Sequence, residues 1–328
     1  MKQTAANLRK EAARLLKEGS VKYVIGYTQG TDAARTAPFF AAGPGQANML
    51  TWTPFCVSNL VKYLLDFRYE DTRLAVVVKG CDSRAVHRLI QDHQFPRERL
   101  VVIGLSCGGM LDRDKALAAL APGATLLETE DRGSDYLLKT DRGEFVFQKQ
   151  ETLLAKCLEC VDNAPVAVDL MVGRQVPPPG RPEADLFASV RELEALDTGA
   201  RAAFWDRHFS RCLRCFACRN VCPACNCKEC SLEQAVPGWQ QGACWLTKRV
   251  NKSQNHIFHL IRMYHVAGRC IDCGECARAC PVNIPLRALY RKVAKDAVEL
   301  FGMPLPGTDP EAAPLLTTYR TSDPDEFM

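Results

Sequence analysis

The chain has 328 residues, 47% hydrophobic and 24% charged, with a formal net charge of +4. That is the composition of a soluble protein of two or three domains, and so small a charge, lowered further by any anionic metal centre, gives no footing for nucleic-acid binding. Its seventeen cysteines follow no apolar-core signal segment, so thiols kept reduced in the cytoplasm for metal or redox use are expected; no apolar run approaches the ~18 residues of a membrane span.

The first predicted element is an amphipathic helix in MKQTAANLRKEAARLLKEG, with Leu8, Ala12 and Leu15 on one face and Gly19 to end it. A strand at Val21–Ile25 and a helix at Val57–Leu65 come next. Then a strand at Leu74–Val78 leads into a helix capped by Asp82 or Ser83. The plan repeats with a strand at Leu100–Ile103, a turn holding Cys107, and helical periodicity beyond. Alternation of this kind predicts an α/β domain with a mostly parallel sheet. After residue 124 short strands separated by two Asp-Arg-Gly turns predict a small antiparallel meander. We take residues 1–171 as an α/β redox domain. A Pro/Gly-rich linker follows over 172–190, beginning VGRQVPPPGRPEAD. Residues 191–302 read as helical. One helix lies in SQNHIFHLIRMYHVAG, with Ile257, Leu260, Ile261 and Tyr264 on one face and Gly268 as its C-cap; another lies in IPLRALYRKVAKDAVELFG, closed by Gly302. The Pro-rich tail 303–328 is expected to lie over a surface or to be disordered.

Two cysteine runs carry the strongest signal. Cys212-x2-Cys215-x2-Cys218-x3-Cys222-Pro recurs as Cys270-x2-Cys273-x2-Cys276-x3-Cys280-Pro. In this pattern three thiolates surround one cube and the fourth, before proline, reaches the other. The expected ligands are therefore Cys212, Cys215, Cys218 and Cys280 for one 4Fe–4S cluster, and Cys270, Cys273, Cys276 and Cys222 for the second. Structural zinc takes two pairs of ligands rather than two runs of four. The 47 residues between the runs, with a long helix among them, resemble the α-helical dicluster ferredoxin domains of succinate dehydrogenase iron–sulfur subunits and heterodisulfide reductase small subunits.

Cys81 and Cys107 each sit between a predicted strand and a predicted helix, so both belong at the carboxyl edge of the sheet, where helix N-termini favour anions. With Cys157-x2-Cys160 they make a candidate third 4Fe–4S set; zinc on the same four, or unrelated buried thiols, are the alternatives. Cys225-x-Cys227-x2-Cys230 offers three more sulfurs. With Cys244 or Cys56 they form a possible fourth cluster, or else they pack beside the first cube. Lys79 either offsets cluster charge or is solvated. His256 and His259 lack a third ligand and are expected to be exposed or capping.

The phrases KGCDSRAV, GLSCGGMLD, KCLECV and CPACNCKEC, followed by the second ferredoxin run, resemble the beta-subunit family of deazaflavin-reducing hydrogenases and formate dehydrogenases. The nearer likeness is to its dicluster branch, associated with heterodisulfide-reductase-type complexes. The resemblance spans roughly residues 20–302. It implies a subunit of an anaerobic oxidoreductase whose partners are other redox subunits: a heterodisulfide-reductase-like flavin subunit, a hydrogenase or a formate dehydrogenase. It also implies FAD in some members, for which VIGYTQG and AAGPGQ are candidate pocket segments. Three readings follow. The first is an electron relay with no substrate chemistry. The second is a flavin-containing subunit exchanging hydride with a nicotinamide or deazaflavin carrier. The third is a catalytic cluster with an open iron.

Overall fold

The computed structural model describes residues 1–180, 185–233 and 250–313. It divides into two units, Met1–Ala188 and Ser189–Met328.

The first unit opens with α1 (Lys2–Lys17), which buries Ala5, Leu8, Ala12 and Leu15 at i, i+3, i+4 spacing. Gly19, at φ 66°, turns the chain away. A five-stranded sheet follows, in the order β2-β1-β3-β4-β8. Its strands are β1 (Tyr23–Gln29), β2 (Thr36–Ala41), β3 (Leu74–Val78), β4 (Leu100–Leu105) and β8 (Leu170–Val172). β1, β3, β4 and β8 run parallel, and β2 pairs antiparallel with β1, so the sheet is mixed. Every residue of β3 and β4 is buried, as unbroken apolar runs require in strands covered on both faces. Between strands come α2 (Gly80–Gln91) and α3 (Arg113–Ala118). β5 (Leu126–Asp131), β6 (Asp135–Thr140) and β7 (Gly143–Gln148) form the antiparallel meander, and two short helices follow, α4 (Lys149–Thr152) and α5 (Ala155–Leu158).

Several expectations change. β1 starts at Tyr23 and runs on to Gln29. The segment near 57–65 is a 3-10 helix, Leu60–Phe67, whose Asn59 cap accepts from the Val61 N–H. β2 escaped prediction because Pro38 sits in its middle; proline is confined to edges, and β2 is the edge. Lys79 caps α2, while Asp82 and Ser83 lie inside its first turn. Cys107 does not begin a helix, since α3 starts only after its Asp112 cap.

The second unit is helical: α6 (Ala188–Glu194), α7 (Thr198–Phe209), α8 (Ala217–Asn220), α9 (Lys252–His265), α10 (Glu275–Arg278) and α11 (Leu286–Phe301). Its core gathers Phe209, Leu232, Phe258, Val266, Ile284 and Tyr290 together with Cys212, Cys218 and Cys280. Helix α9 ends at His265, short of Gly268, whereas Gly302 closes α11 in the left-handed conformation. Residues 314–328 of the tail lie outside the described residues.

Candidate iron–sulfur centres

The two ferredoxin runs share one backbone plan. In each, the residues on either side of the second cysteine are left-handed: Arg214 (φ 47°) and Phe216 (φ 58°) in the first, Asp272 (φ 58°) and Gly274 (φ 70°) in the second. Non-glycine residues rarely take this conformation, and it costs energy. Its recurrence at matching positions marks a chain wrapped tightly around a centre. One helical turn then carries the third cysteine, Cys218 on α8 and Cys276 on α10.

The thiols meet crosswise. Cys212, Cys215, Cys218 and Cys280 line one cavity. Cys222, Cys270, Cys273 and Cys276 line another. Each cavity takes three cysteines from one run and the fourth from the other. Backbone N–H groups of Arg214 and Ile284 donate to Cys212 Sγ and Cys280 Sγ, both at 3.4 Å. Burial pushes the Cys218 thiol up to about 11 and Cys270 to about 12, and it raises Cys276 too; neighbouring sulfurs of the same cavity add to each shift. A bound metal centre reverses that preference, because it holds the thiolate outright.

The donor sets fit four-iron cubes. Two carboxylates border the second cavity, but both are engaged. Arg287 holds Asp272 at 2.7 and 2.8 Å with Arg291 beside it, and Arg278 holds Glu275 at 2.8 Å on both oxygens. No three His, Cys, Asp or Glu among the described residues stand close enough to share a single metal ion.

Helix α9 faces the cavities with an unexpected side. Its buried residues are Asn255, Phe258, His259 and Arg262, while Ile257, Leu260 and Tyr264 of the apolar stripe are exposed. Asn255 Nδ2 donates to the carbonyls of Phe209 and Cys212, both at 2.9 Å. Arg262, 1% exposed, lines the second cavity; it donates to the Cys218 carbonyl at 2.7 Å and to the Tyr290 hydroxyl. It therefore touches the backbone of one cysteine set while lining the cavity of the other. His259 is buried, not exposed or capping, and stacks on Phe209 at 4.5 Å. His256 meets Asp206 at 3.0 Å. Polar residues at i, i+4 and i+7, Asn255, His259 and Arg262, were the signal that an apolar reading of α9 passed over.

The three extra cysteines differ in their surroundings, though Cys225 and Cys230 both pack against the core of the second unit. Cys225 is turned toward Cys222 and Arg262 (Arg262 Nη2 to Sγ, 3.9 Å), and its thiol is held well up, first by the hydrogen bond with Cys222 and then by burial. Cys227 is exposed and Cys230 half-buried. Cys244 lies outside the described residues. Cys56 is a buried thiol of the first unit, receiving the Thr53 N–H at 3.3 Å.

In the first unit, parallel pairing of β3 and β4 sets Cys81 and Cys107 at one sheet edge. Cys157 on α5 joins them there. Burial and, after it, Asp82 raise the Cys81 thiol to about 12; burial raises the Cys107 thiol as well, with the sulfurs of Cys157 and Cys81 adding to it. Cys160 is raised by burial and then by Cys157. The Met110 N–H donates to Cys157 Sγ at 3.4 Å. Positive charge stands nearby: Lys156 and Lys79 favour the Cys81 thiolate, and Arg84 that of Cys160. Lys79 is not solvated. It pairs with Asp82 at 2.5 Å and donates to the Tyr27 hydroxyl at 2.6 Å and the Cys56 carbonyl at 2.9 Å.

Asn163, another residue sequence reading missed, ties this edge together by donating to the carbonyls of Cys107 (2.7 Å) and Val176 (2.9 Å). The Pro/Gly-rich stretch thus runs back over the edge, and the Gly180 N–H meets the Cys160 carbonyl at 2.8 Å. Beside it opens a cavity of about 710 Å3, lined among others by Trp52, Ser106, Gly108, Lys149, Arg174 and Val176. Neither VIGYTQG nor AAGPGQ lines it. The former is strand β1, with Gly26 packed under Leu50, where a Cβ would stand 2.6 Å from a methyl carbon.

Comparison with known proteins finds two family matches along the chain. Residues 208–284 match the 4Fe-4S dicluster domain, and residues 71–191 match the family described as the C terminus of the coenzyme F420 hydrogenase/dehydrogenase beta subunit. The F420-dependent formate dehydrogenase subunit beta of Methanocaldococcus jannaschii is 24% identical over 93% of this chain and 92% of its own length. The F420-dependent formate dehydrogenase 1 subunit beta of Methanococcus maripaludis is 22% identical over 92% and 90%. A chain of the F420-reducing NiFe hydrogenase complex from Methanosarcina barkeri shares 15% identity, with a TM-score of 0.40 over 51% of this chain and 65% of that one. Within one polypeptide, residues 71–191 are thus similar to the C-terminal family module of coenzyme F420 hydrogenase/dehydrogenase beta subunits and residues 208–284 to a 4Fe-4S dicluster domain.

Proposed function

We propose that this chain is an iron–sulfur electron-transfer subunit of beta type, relaying single electrons between partner redox subunits of formate dehydrogenase, hydrogenase or heterodisulfide-reductase type. The observation that carries the reading is the crosswise lining of two cavities by Cys212, Cys215, Cys218, Cys280 and by Cys222, Cys270, Cys273, Cys276. These eight are the proposed ligands of two 4Fe–4S clusters. Cys81, Cys107, Cys157 and Cys160 are the proposed ligands of a third. Such cubes supply one-electron transfer at potentials set by charge, hydrogen bonds and burial. The chain contributes those settings: Phe258, Val266 and Ile284 exclude water, Arg262 places a cation at both sets, and backbone N–H groups point at sulfur. Cys225 packs beside Cys222 in this reading rather than founding a fourth cluster.

The test is anaerobic quantification of iron, sulfide, zinc and flavin on the full chain and on Cys215→Ser, Cys157→Ser and Cys56→Ser. We expect about twelve irons and no zinc, a loss of about four irons in each of the first two variants and none in the third. Iron unchanged in Cys157→Ser sinks the third centre. Zinc in place of iron sinks the relay.

The cavity of about 710 Å3 favours one second reading, since its size suits a cofactor or carrier and Ser106 and Gly108 on its wall flank Cys107. In it, a two-electron carrier of the kind named in the relatives, coenzyme F420, or a flavin, occupies that space and exchanges electrons with the first unit. Flavin bound in stoichiometric amount, or F420 reduction by the purified chain, separates this reading from a pure relay.

A further inference from the structure

The imidazole of His259 is 1% exposed, and neither ring nitrogen has a hydrogen-bond partner among the described residues. The great majority of buried polar groups are paired, and leaving one unpaired is costly. The ring is held in place by packing alone: face to face on Phe209 at 4.5 Å and 17°, edge to Phe258 at 4.9 Å and 71°. It lines the cavity of Cys212, Cys215, Cys218 and Cys280. In either tautomer an imidazole carries at least one N–H to donate.

A donor on the wall of a four-thiol cavity, with no acceptor among the described residues, is placed to meet one in the contents of that cavity. Four cysteines already provide one sulfur for each iron of a cube, which leaves the imidazole to donate rather than ligate. We infer that His259 donates its ring N–H to a sulfur of the first centre and thereby raises the reduction potential of that centre and not of the second. The donor favours the reduced, more negative state, as hydrogen bonds to sulfur do in these clusters. His259 is on this account a positioning and tuning residue that takes no proton from the reaction. The inference rests on the proposed cluster at Cys212, Cys215, Cys218 and Cys280.

Labelling the full chain with 15N-histidine and recording pulsed EPR of the reduced clusters tests it directly. We expect a weak 15N coupling on one cluster signal, retained in His256→Gln, whose ring is engaged by Asp206. His259→Phe keeps the stacked ring and should abolish the coupling. In that variant the first midpoint should fall by a shift worth about tenfold in the reduction equilibrium, ~59 mV for one electron, with the second unchanged. No 15N coupling in the unsubstituted chain, or equal midpoints in His259→Phe at full iron content, overturns the inference. Should the Phe variant fail to hold its irons, the labelled unsubstituted chain and His256→Gln decide alone. A chain that loses no iron in Cys215→Ser refutes the cluster assignment itself, a distinguishable failure.

Discussion

At the scale of single residues, the Lys79–Asp82 pair decides how well the first unit holds its cysteine edge. Burial alone disfavours the Lys79 ammonium, yet attraction to Asp82 and the Tyr27 oxygen outweighs it and holds the group charged. With the pair 1% and 0% exposed, removing one partner leaves a buried charge uncompensated, at about 3–5 kcal/mol. Lys79→Met should therefore lower the urea midpoint of the first unit strongly, and Lys79→Met with Asp82→Leu should recover most of the loss; an additive double variant counts against the pair. Gly80 next to it is fixed by a close approach. A Cβ there would stand 2.4 Å from the Asn163 carbonyl oxygen, backbone that cannot swing aside. Gly80→Ala should displace the segment that ties Cys107, and the proposed third centre at Cys81, Cys107, Cys157 and Cys160 should lose its iron first, read as iron per chain against an unchanged dicluster EPR signal. The cysteines were legible in the sequence because cluster spacing is local. Arg262 and Asn163 were not, because their partners lie 44 and 56 residues away and nothing in their own neighbourhoods marks them.

Among the elements, strands β3 and β4 could be read directly, since a parallel strand covered on both faces is apolar throughout. The meander was legible from its Asp-Arg-Gly turns. Helix α9 misled because Ile257, Leu260 and Tyr264 lie outside, while Asn255, His259 and Arg262 join Phe258 on the buried side toward the cysteines. The contact of α6 with α11 is polar as well. Glu194 takes Lys292 at 2.7 Å and Lys295 at 3.0 Å, and Glu299 takes Arg191 at 2.6 Å and Lys295 at 2.8 Å. Hydrogen bonds from these cations lower both carboxyl pKa values, Glu194 through Lys292 and Lys295 and Glu299 through Lys295 and Arg191. The stabilisation is present above the ordinary carboxylate range and is lost as pH falls through the lowered values. Because these groups are largely solvated, the effect is small and local. Hydrogen exchange of Ala188–Glu194 should speed up selectively, after correction for intrinsic rates, between pH 6 and pH 3. Uniform protection across that range would refute the role of the network.

For the whole molecule, the division into Met1–Ala188 and Ser189–Met328 separates two ways of staying folded. The first unit has a sheet whose apolar core stands without metal. The second builds its core partly from Cys212, Cys218 and Cys280, so binding to its cavities is also folding energy. Chelation of iron should therefore melt the second unit while leaving the β-sheet circular dichroism of the first, and a single cooperative loss of both would contradict it. The crosswise pairing of cysteines has a last consequence, in the time order of synthesis. Cys280 follows Cys212 by 68 residues, which a ribosome adding 5–20 residues per second takes roughly 3–14 s to deliver. The last two thiols of the second set and the last of the first emerge almost together. Neither cavity of the dicluster domain is complete until then, so the two proposed metal centres mature as a pair once residue 280 is made, whereas the four cysteines proposed to hold a third centre, Cys81, Cys107, Cys157 and Cys160, are all present from residue 160 onward and are free to act while the ribosome is still at work.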